Sequence, residues 1–400
     1  QGLTPTMSST SGPSSGPLST TAYKLFAGSA NPELAEKVSE ALGIPLGKAT
    51  VGRFNDGECN IQLGENVRNT HVFLVQSTCP PVNDAMMELF LMVRCFRRAS
   101  ARTVTAIVPY YGYARQDRKT TARVPISASD VAMLLEAAGV DRMLSVDLHC
   151  GQIQGFFHHA PVDNLHAFVE HVPFMVKEII PSYGENPIAI VSPDAGGVAR
   201  AKMFMEALTS MNVPNISLAI TIKHRVKAGE VEGMNIVGEI KGKHCIIVDD
   251  MIDTAGTLCK SADSLREMGA LSVSACCTHA LFSGPALDRI GKSSLKHVIV
   301  ADTIPISKGD ELSFDSPCSH AGLDRLRRCG GGLPSCLCLE GEDQGDSMTS
   351  SSVLLHLLLL FATSSSSECP SGRLLRQTLG SSHPLNQLWN LRELSLRCVE

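Results

Sequence analysis

The stretch His244-Cys245-Ile246-Ile247-Val248-Asp249-Asp250-Met251-Ile252-Asp253-Thr254-Ala255-Gly256-Thr257 constrains this chain more than any other. Cys245 to Val248 are apolar and rich in β-branched residues, the pattern of a strand covered on both faces. Two carboxylates, Asp249 and Asp250, follow at its C-terminal end, then a turn of small residues from Thr254 to Thr257, then a helical pattern from Leu258 to Met268. A buried strand, a small-residue loop and a helix N-terminus are the parts of a phosphate cradle. Free backbone N–H groups and the helix dipole both favour an anion there. The acids cannot hold phosphate, but they suit ribose hydroxyls or Mg²⁺-bound water. Read alone, the stretch also fits a capped helix after a buried strand with solvated acids. It lacks the Gly-Lys-Ser/Thr of a P-loop.

The 400 residues suffice for two or three domains. With 44% hydrophobic and 19% charged residues, most of the chain can bury a core. A net charge of −5 gives no basis for a broad nucleic-acid surface. Several of the 14 cysteines, among them Cys95, Cys245, Cys276 and Cys277, sit inside apolar runs. That suits reduced thiols in a cytoplasmic protein better than a disulfide framework. Residues 1–22 are rich in Ser, Thr, Pro and Gly without an apolar signal region, and are expected to form a disordered arm. The longest apolar run, Val353 to Thr363, has about half the length of a membrane span, so no membrane segment is expected.

From Tyr23 onward strand and helix patterns alternate. Asn31 to Leu42 reads as a helix with Asn31 as N-cap, Pro32 at its first position and Gly43 past its end. Val51 to Glu58 runs into a hairpin turn, with Phe54, Asp56 and Glu58 at or beside it. Thr103 to Pro109 is a buried strand that delivers Tyr110 to Lys119. Aromatics beside Arg and Lys at a strand end suit a nucleotide as much as a solvated basic loop. Arg142 to Val146 reads as a strand closed by Asp147-Leu148-His149, with acid and imidazole on one side, as a divalent cation near phosphates requires. Leu165 to Ile180 reads as a helix kinked near Pro173. Pro187 to Ser192 leads into Pro193-Asp194-Ala195-Gly196-Gly197-Val198-Ala199-Arg200, a second strand–glycine–helix cradle. Lys223 to Val231 is a basic excursion, and Asn235 to Ile240 reads as a strand.

The opening motif resembles the 5-phosphoribosyl-binding loop of the type I phosphoribosyltransferase family. Asp147-Leu148-His149-Cys150-Gly151-Gln152-Ile153-Gln154-Gly155-Phe156-Phe157, followed by Pro161-Val162-Asp163, resembles the signature of the PRPP synthetases within that superfamily. Two departures stand out. Cys150 replaces a small Ser or Ala, and His158-His159-Ala160 is one residue longer than the usual spacer. The resemblance covers roughly Tyr23 to Pro305. Beyond Ile306 the family continues with another strand and helix, whereas residues 306–400 are low in complexity and read as a non-homologous or disordered tail.

The resemblance implies an α/β protein of two similar doubly wound, mainly parallel-sheet domains, residues 23–163 on the ATP side and 164–305 on the ribose 5-phosphate side. It implies transfer of the β,γ-diphosphoryl group of ATP to the C1 hydroxyl of ribose 5-phosphate, with Mg²⁺ as cofactor. Lys223 and Arg225 would be catalytic. Phe54, Asp56, Glu58, Arg115 and Gln116 would bind ATP. Asp249, Asp250, Asp253, Thr254, Ala255, Gly256 and Thr257 would bind ribose 5-phosphate, and Asp194 to Gly197 the diphosphate. His149, Asp194, Asp147 and Asp163 would serve the metal. The family also implies homo-oligomers, dimers building a hexamer, in which a neighbouring subunit completes the ATP pocket. Two rival readings are a non-catalytic regulatory subunit and a phosphoribosyltransferase that consumes PRPP.

Overall fold

The computed structural model describes residues 23–224, 233–306, 326–328 and 337–338, with backbone alone at 223–224, 233–234, 326–328 and 337–338. The first half runs β1 (Tyr23–Ala27), α1 (Pro32–Leu42), β2 (Ala49–Arg53), β3 (Cys59–Leu63), β4 (His71–Val75), α2 (Val82–Arg98), β5 (Thr103–Val108), α3 (Ser127–Ala138), β6 (Arg142–Val146) and β7 (Val162–Leu165). Its sheet has the order β1-β4-β5-β6-β7, and every pairing is parallel. The antiparallel hairpin β2–β3 stands apart from it. Parallel strands need crossovers, and the helices that supply them cover the sheet. Hence Leu74, Val104, Ala106 and Met143 are fully buried beside Leu89, Phe96 and Leu135 of α2 and α3.

The second half runs α4 (Phe168–Phe174), β8 (Ile188–Ser192), α5 (Val198–Ser210), β9 (Ile216–His224), β10 (Gly233–Val237), β11 (His244–Ile252), α6 (Gly256–Glu267), β12 (Ser272–Ala280), α7 (Ala286–Lys292) and β13 (Leu295–Ala301). Two short strands of the tail, β14 (Leu326–Arg328) and β15 (Leu337–Cys338), extend its sheet. The order is β10-β9-β8-β11-β12-β13-β14-β15. β9, β8, β11, β12, β13 and β14 pair in parallel, and only the outermost partners are antiparallel. The two halves repeat one plan, in which an antiparallel hairpin follows the first strand–helix unit and two further strand–helix units complete the parallel core. Even β14 beside β13 occupies the place that β7 holds beside β6.

The α1 boundaries match their sequence signals. Asn31 Oδ1 accepts from Leu34 N at 3.2 Å, and Gly43 adopts a left-handed φ of 62°. Three expected boundaries move. Leu165 ends β7 instead of starting a helix, because Val162–Leu165 pairs with Met143–Val146. The helix α4 therefore begins at Phe168, and past Pro173 it continues only as one wide and one tight turn, over Met175–Ile179 and Ile180–Tyr183. β10 covers Gly233–Val237 rather than Asn235–Ile240, because its partner β9 fixes the register through Met234↔Lys223. β11 continues through both acids to Ile252, since β12 keeps pairing with it as far as Ile252↔Ala280.

The halves meet along a polar seam. Ser77 Oγ donates to Thr303 O at 2.6 Å, Asn31 Nδ2 donates to Asp302 O at 2.7 Å, and Lys37 lies 3.1 Å from the Asp302 carboxylate. Cys79, Tyr110 and Ile304 add a small apolar cluster there. The cysteines of the described residues are free thiols. No helix among those residues is long and apolar enough to cross a membrane.

Candidate active site

The end of β11 lies where the two sheets face each other. Asp250 is almost wholly buried, and its Oδ2 lies 2.7 Å from Nδ1 of His149, which comes from the loop after β6 in the first half. Arg200, from the first turn of α5, places Nη1 3.4 Å from Asp250 Oδ1 and 3.8 Å from Asp249 Oδ1. Burial raises the Asp249 pKa, and the adjacent Asp250 charge raises it further. Burial pushes Asp250 the same way, but the His149 hydrogen bond and the Arg200 charge outweigh it and hold Asp250 low. The hydrogen bond to Asp250 in turn raises His149 against its own desolvation. Arg200 is the principal member of this group that sequence reading overlooked. Its only sequence signal was its place as the last residue of the second glycine cradle, which gave it no role.

The small-residue loop behaves as its composition suggests. Ala255 stands at the N-cap of α6 with φ 57°, and its methyl group cannot cap the helix. The N-cap side chain therefore gives the first-turn N–H groups of α6 no acceptor. That is the arrangement that leaves them to an incoming anion. Asp253 is held from across the seam, where Arg115 Nη1 donates to Asp253 Oδ2 at 2.6 Å. Hydrogen bonding to Ser283 and then to Arg115 keeps the Asp253 carboxyl below its ordinary value. The second cradle is partly closed by its own acid, because Asp194 Oδ1 accepts from Gly197 N at 2.9 Å. A cavity of about 670 Å³ opens between the 147–154 loop and α5, with Gly196, His149 and Arg200 in its wall.

The other expected site residues divide. Asp147 does not share a strand face with His149. β6 ends at Val146, and Asp147 turns left-handed with φ 42°. Its carboxylate is buried and accepts from His166 Nδ1 at 2.8 Å, Ala167 N at 2.9 Å and Thr278 Oγ1 at 2.7 Å. Burial alone would raise its pKa, but these donors and Arg200 hold it far below the usual carboxylate range. Asp147 thus ties β12 of the second half to the loop of the first. Asp163 lies on β7, 3.0 Å from Arg142 of β6. Phe54 is 54% exposed at the β2–β3 tip, where Asp56 Oδ1 accepts from Glu58 N at 3.1 Å. Among the described residues these three make no hydrogen bond or ion pair to the second half. Gln116 is tied to Ser127 at the start of α3. Lys223 lies on β9, its backbone opposite Met234, and Arg225 lies outside the described residues.

The donor set fits Mg²⁺ only as a shared ligand. Among the described residues no three His, Cys, Asp or Glu side chains converge as a metal cage. Mg²⁺ commonly takes one or two protein ligands beside substrate phosphates and water. His149 and Asp194 each engage a protein partner through one atom, Nδ1 and Oδ1, whereas both carboxylate oxygens of Asp147 are taken and Asp163 pairs with Arg142.

Comparison with known proteins settles the lineage. Residues 23–139 match the N-terminal domain of ribose phosphate pyrophosphokinase, and residues 161–309 match a phosphoribosyl transferase domain. The chain is 51% identical over 290 residues to the ribose-phosphate pyrophosphokinase of Ralstonia nicotianae, covering 72% of this chain and 88% of that one. With the Vibrio parahaemolyticus protein of the same name it shares 51% over 304 residues, covering 76% and 93%. The crystal structure of phosphoribosylpyrophosphate synthetase from Mycobacterium smegmatis superposes with a TM-score of 0.66 at 39% identity, over 72% of this chain and 91% of that one. The chain belongs to the ribose-phosphate pyrophosphokinase family. Its two halves are the two phosphoribosyltransferase-like domains of that family, with the crossing between their sheets just after β7.

Proposed function

We propose that this chain transfers the β,γ-diphosphoryl group of ATP to the C1 hydroxyl of D-ribose 5-phosphate, releasing AMP and 5-phospho-α-D-ribose 1-diphosphate. One observation carries the assignment of roles. The acids and the N-terminus of α6 follow β11, the glycine loop before α5 follows the neighbouring parallel strand β8, and Arg200 of α5 and His149 of the other half both reach Asp250. A sugar phosphate needs that order of groups: amides for its phosphate, acids for its hydroxyls, and a second anion site where its C1 oxygen acquires phosphate.

In this reading the N–H groups of residues 253–257 hold the 5-phosphate. Asp249 and Asp250 take the ribose 2- and 3-hydroxyls, and Arg200 and His149 fix the two carboxylates. The Asp194–Gly197 loop faces the diphosphate. Phe54, Asp56 and Glu58 of the hairpin, with Arg115 and Gln116, receive ATP. The hairpin's exposure supports a pocket completed by a second copy, as dimers building a hexamer would provide. Mg²⁺, shared by His149, Asp194 and the substrate phosphates, would neutralise charge on the transferring group. In-line attack on the β-phosphorus needs positioning and charge neutralisation rather than a covalent intermediate. Lys223 and Arg225 are assigned to the transition state. A cytoplasmic location fits the free thiols.

Incubation of purified protein with ATP, ribose 5-phosphate and Mg²⁺ tests this reading. AMP and PRPP in equal amounts are expected. ADP with ribose 1,5-bisphosphate would mean attack at the γ-phosphorus and a wrong assignment of the diphosphate loop. No turnover would point to a regulatory subunit.

A further inference from the structure

The loop that holds the 5-phosphate is poor in positive charge. Asp253 to Thr257 contributes one carboxylate and no cation. Arg115, which reaches it from the first half, is engaged with that carboxylate at 2.6 Å. A second guanidinium reaches the loop from outside the motif. Arg289, on α7, donates through Nη1 to the carbonyl oxygen of Thr254 at 2.9 Å. A methyl group built on Gly256 would meet the same nitrogen at 3.4 Å. The guanidinium therefore lies against the middle of the loop, one residue either side of the uncapped start of α6. Unlike Arg115 it has no carboxylate within ion-pair distance among the described residues, and it is exposed to solvent. A planar fork with five N–H donors and one engaged carbonyl keeps further donors for an oxygen-rich anion.

We propose that Arg289 is a substrate-binding residue for the 5-phosphate of ribose 5-phosphate. It holds the Thr254 carbonyl with one N–H and presents its charge to the phosphate that the α6 amides bind. The loop dipole amounts to about half a charge, and Asp253 with Arg115 cancels to zero, so a phosphate dianion lacks a full counter-charge without Arg289. The inference rests on placing the sugar phosphate at residues 253–257. Arg289 lies 32 positions beyond Thr257 on another helix, where no motif marks it.

Calorimetric titration of ribose 5-phosphate into the wild-type protein, Arg289→Lys and Arg289→Gln, at low and moderate salt, tests this without turnover. Gln keeps a donor for the Thr254 carbonyl but removes the charge. Arg289→Gln is expected to bind ribose 5-phosphate roughly tenfold more weakly and with less salt dependence, with Arg289→Lys between, while ATP affinity and melting temperature stay unchanged. Ribose 5-phosphate affinity within twofold of wild type in Arg289→Gln would overturn the proposal. So would parallel losses for both substrates, which mark a merely structural role. Failure of the wild type to bind ribose 5-phosphate would overturn instead the placement of the substrate on which it rests.

Discussion

After β4 and after β11 the chain does the same thing twice, and the outcomes differ. Each strand is parallel and central, and each is followed by a short loop and a helix, α2 in the first half and α6 in the second. After β4 the loop runs from Gln76 to Pro81, and its first four residues, Gln76-Ser77-Thr78-Cys79, are buried while Pro80 and Pro81 are exposed. Gln76 Nε2 donates to Ala85 O and to Glu88 Oε1, Ser77 crosses the seam to Thr303, and Thr78 Oγ1 donates to Tyr110 O at 2.9 Å while accepting from Gly112 N. After β11 the loop is Asp253-Thr254-Ala255, running into Gly256 and Thr257 of α6, and Thr254 and Thr257 are exposed; α2 and α6 both start without a side-chain cap, so the difference lies in the loops themselves. Loops with longer polar side chains satisfy themselves and become structure. A loop of small residues has fewer side-chain groups with which to do so. One fold thus carries a joint on one side and, on the other, the loop proposed here to bind the sugar phosphate.

Substitutions should separate the two. The largest effect is expected at the joint. Asp147→Ala removes the acceptor of three hydrogen bonds from both halves and leaves buried donors unpaired, at a cost of about 3–5 kcal/mol of unfolding free energy. Urea unfolding measures it, and a loss below about 1 kcal/mol would mean that Asp147 does not join the halves. On the site side, Lys223→Ala should lower turnover by about 10²–10³ while leaving the melting temperature and ribose 5-phosphate affinity near wild type. An unchanged kcat would remove Lys223 from the transition state.

A smaller effect is expected within the buried loop. Thr78→Val keeps the shape but orphans the Gly112 amide, while the Tyr110 carbonyl keeps the backbone N–H of residue 78, costing about 1–3 kcal/mol with KM for both substrates unchanged. A change confined to KM would place this loop in the site after all. The smallest effect is a pH dependence. Burial lowers the His166 pKa, but the hydrogen bond and charge of Asp147 outweigh that and raise it above its ordinary 6.5. A raised cationic group stabilises the fold fully below 6.5 and loses that contribution as pH climbs through the raised value. Asp147, depressed, stays ionised throughout this window. Melting temperature should therefore fall slightly from pH 6 to 8 in the wild type and less in His166→Gln. Identical pH slopes would contradict the pairing.

Local chemistry was legible in the sequence, whereas the meeting of distant parts was not. The cap of α1, the buried strands and the opening motif are written within windows of a dozen residues, so periodicity and turn chemistry find them. β7 escaped because Val162-Asp163-Asn164-Leu165 is four half-buried residues with two polar ones inside, too short to show a period. His149 meets Asp250 across 101 positions, Thr278 meets Asp147 across 131, and Arg115 meets Asp253 across 138. No pattern in a single sequence encodes such pairs. This is why the bonds of Asp147 across the seam were not foreseen, why Arg200 was given no role, and why Arg289 went unseen.

The most direct test is a crystal structure with ribose 5-phosphate and a non-hydrolysable ATP analogue bound together with Mg²⁺. The account predicts the 5-phosphate on the amides of residues 253–257, with the ribose hydroxyls on Asp249 and Asp250. A 5-phosphate seated anywhere else, above all after β4, would contradict it.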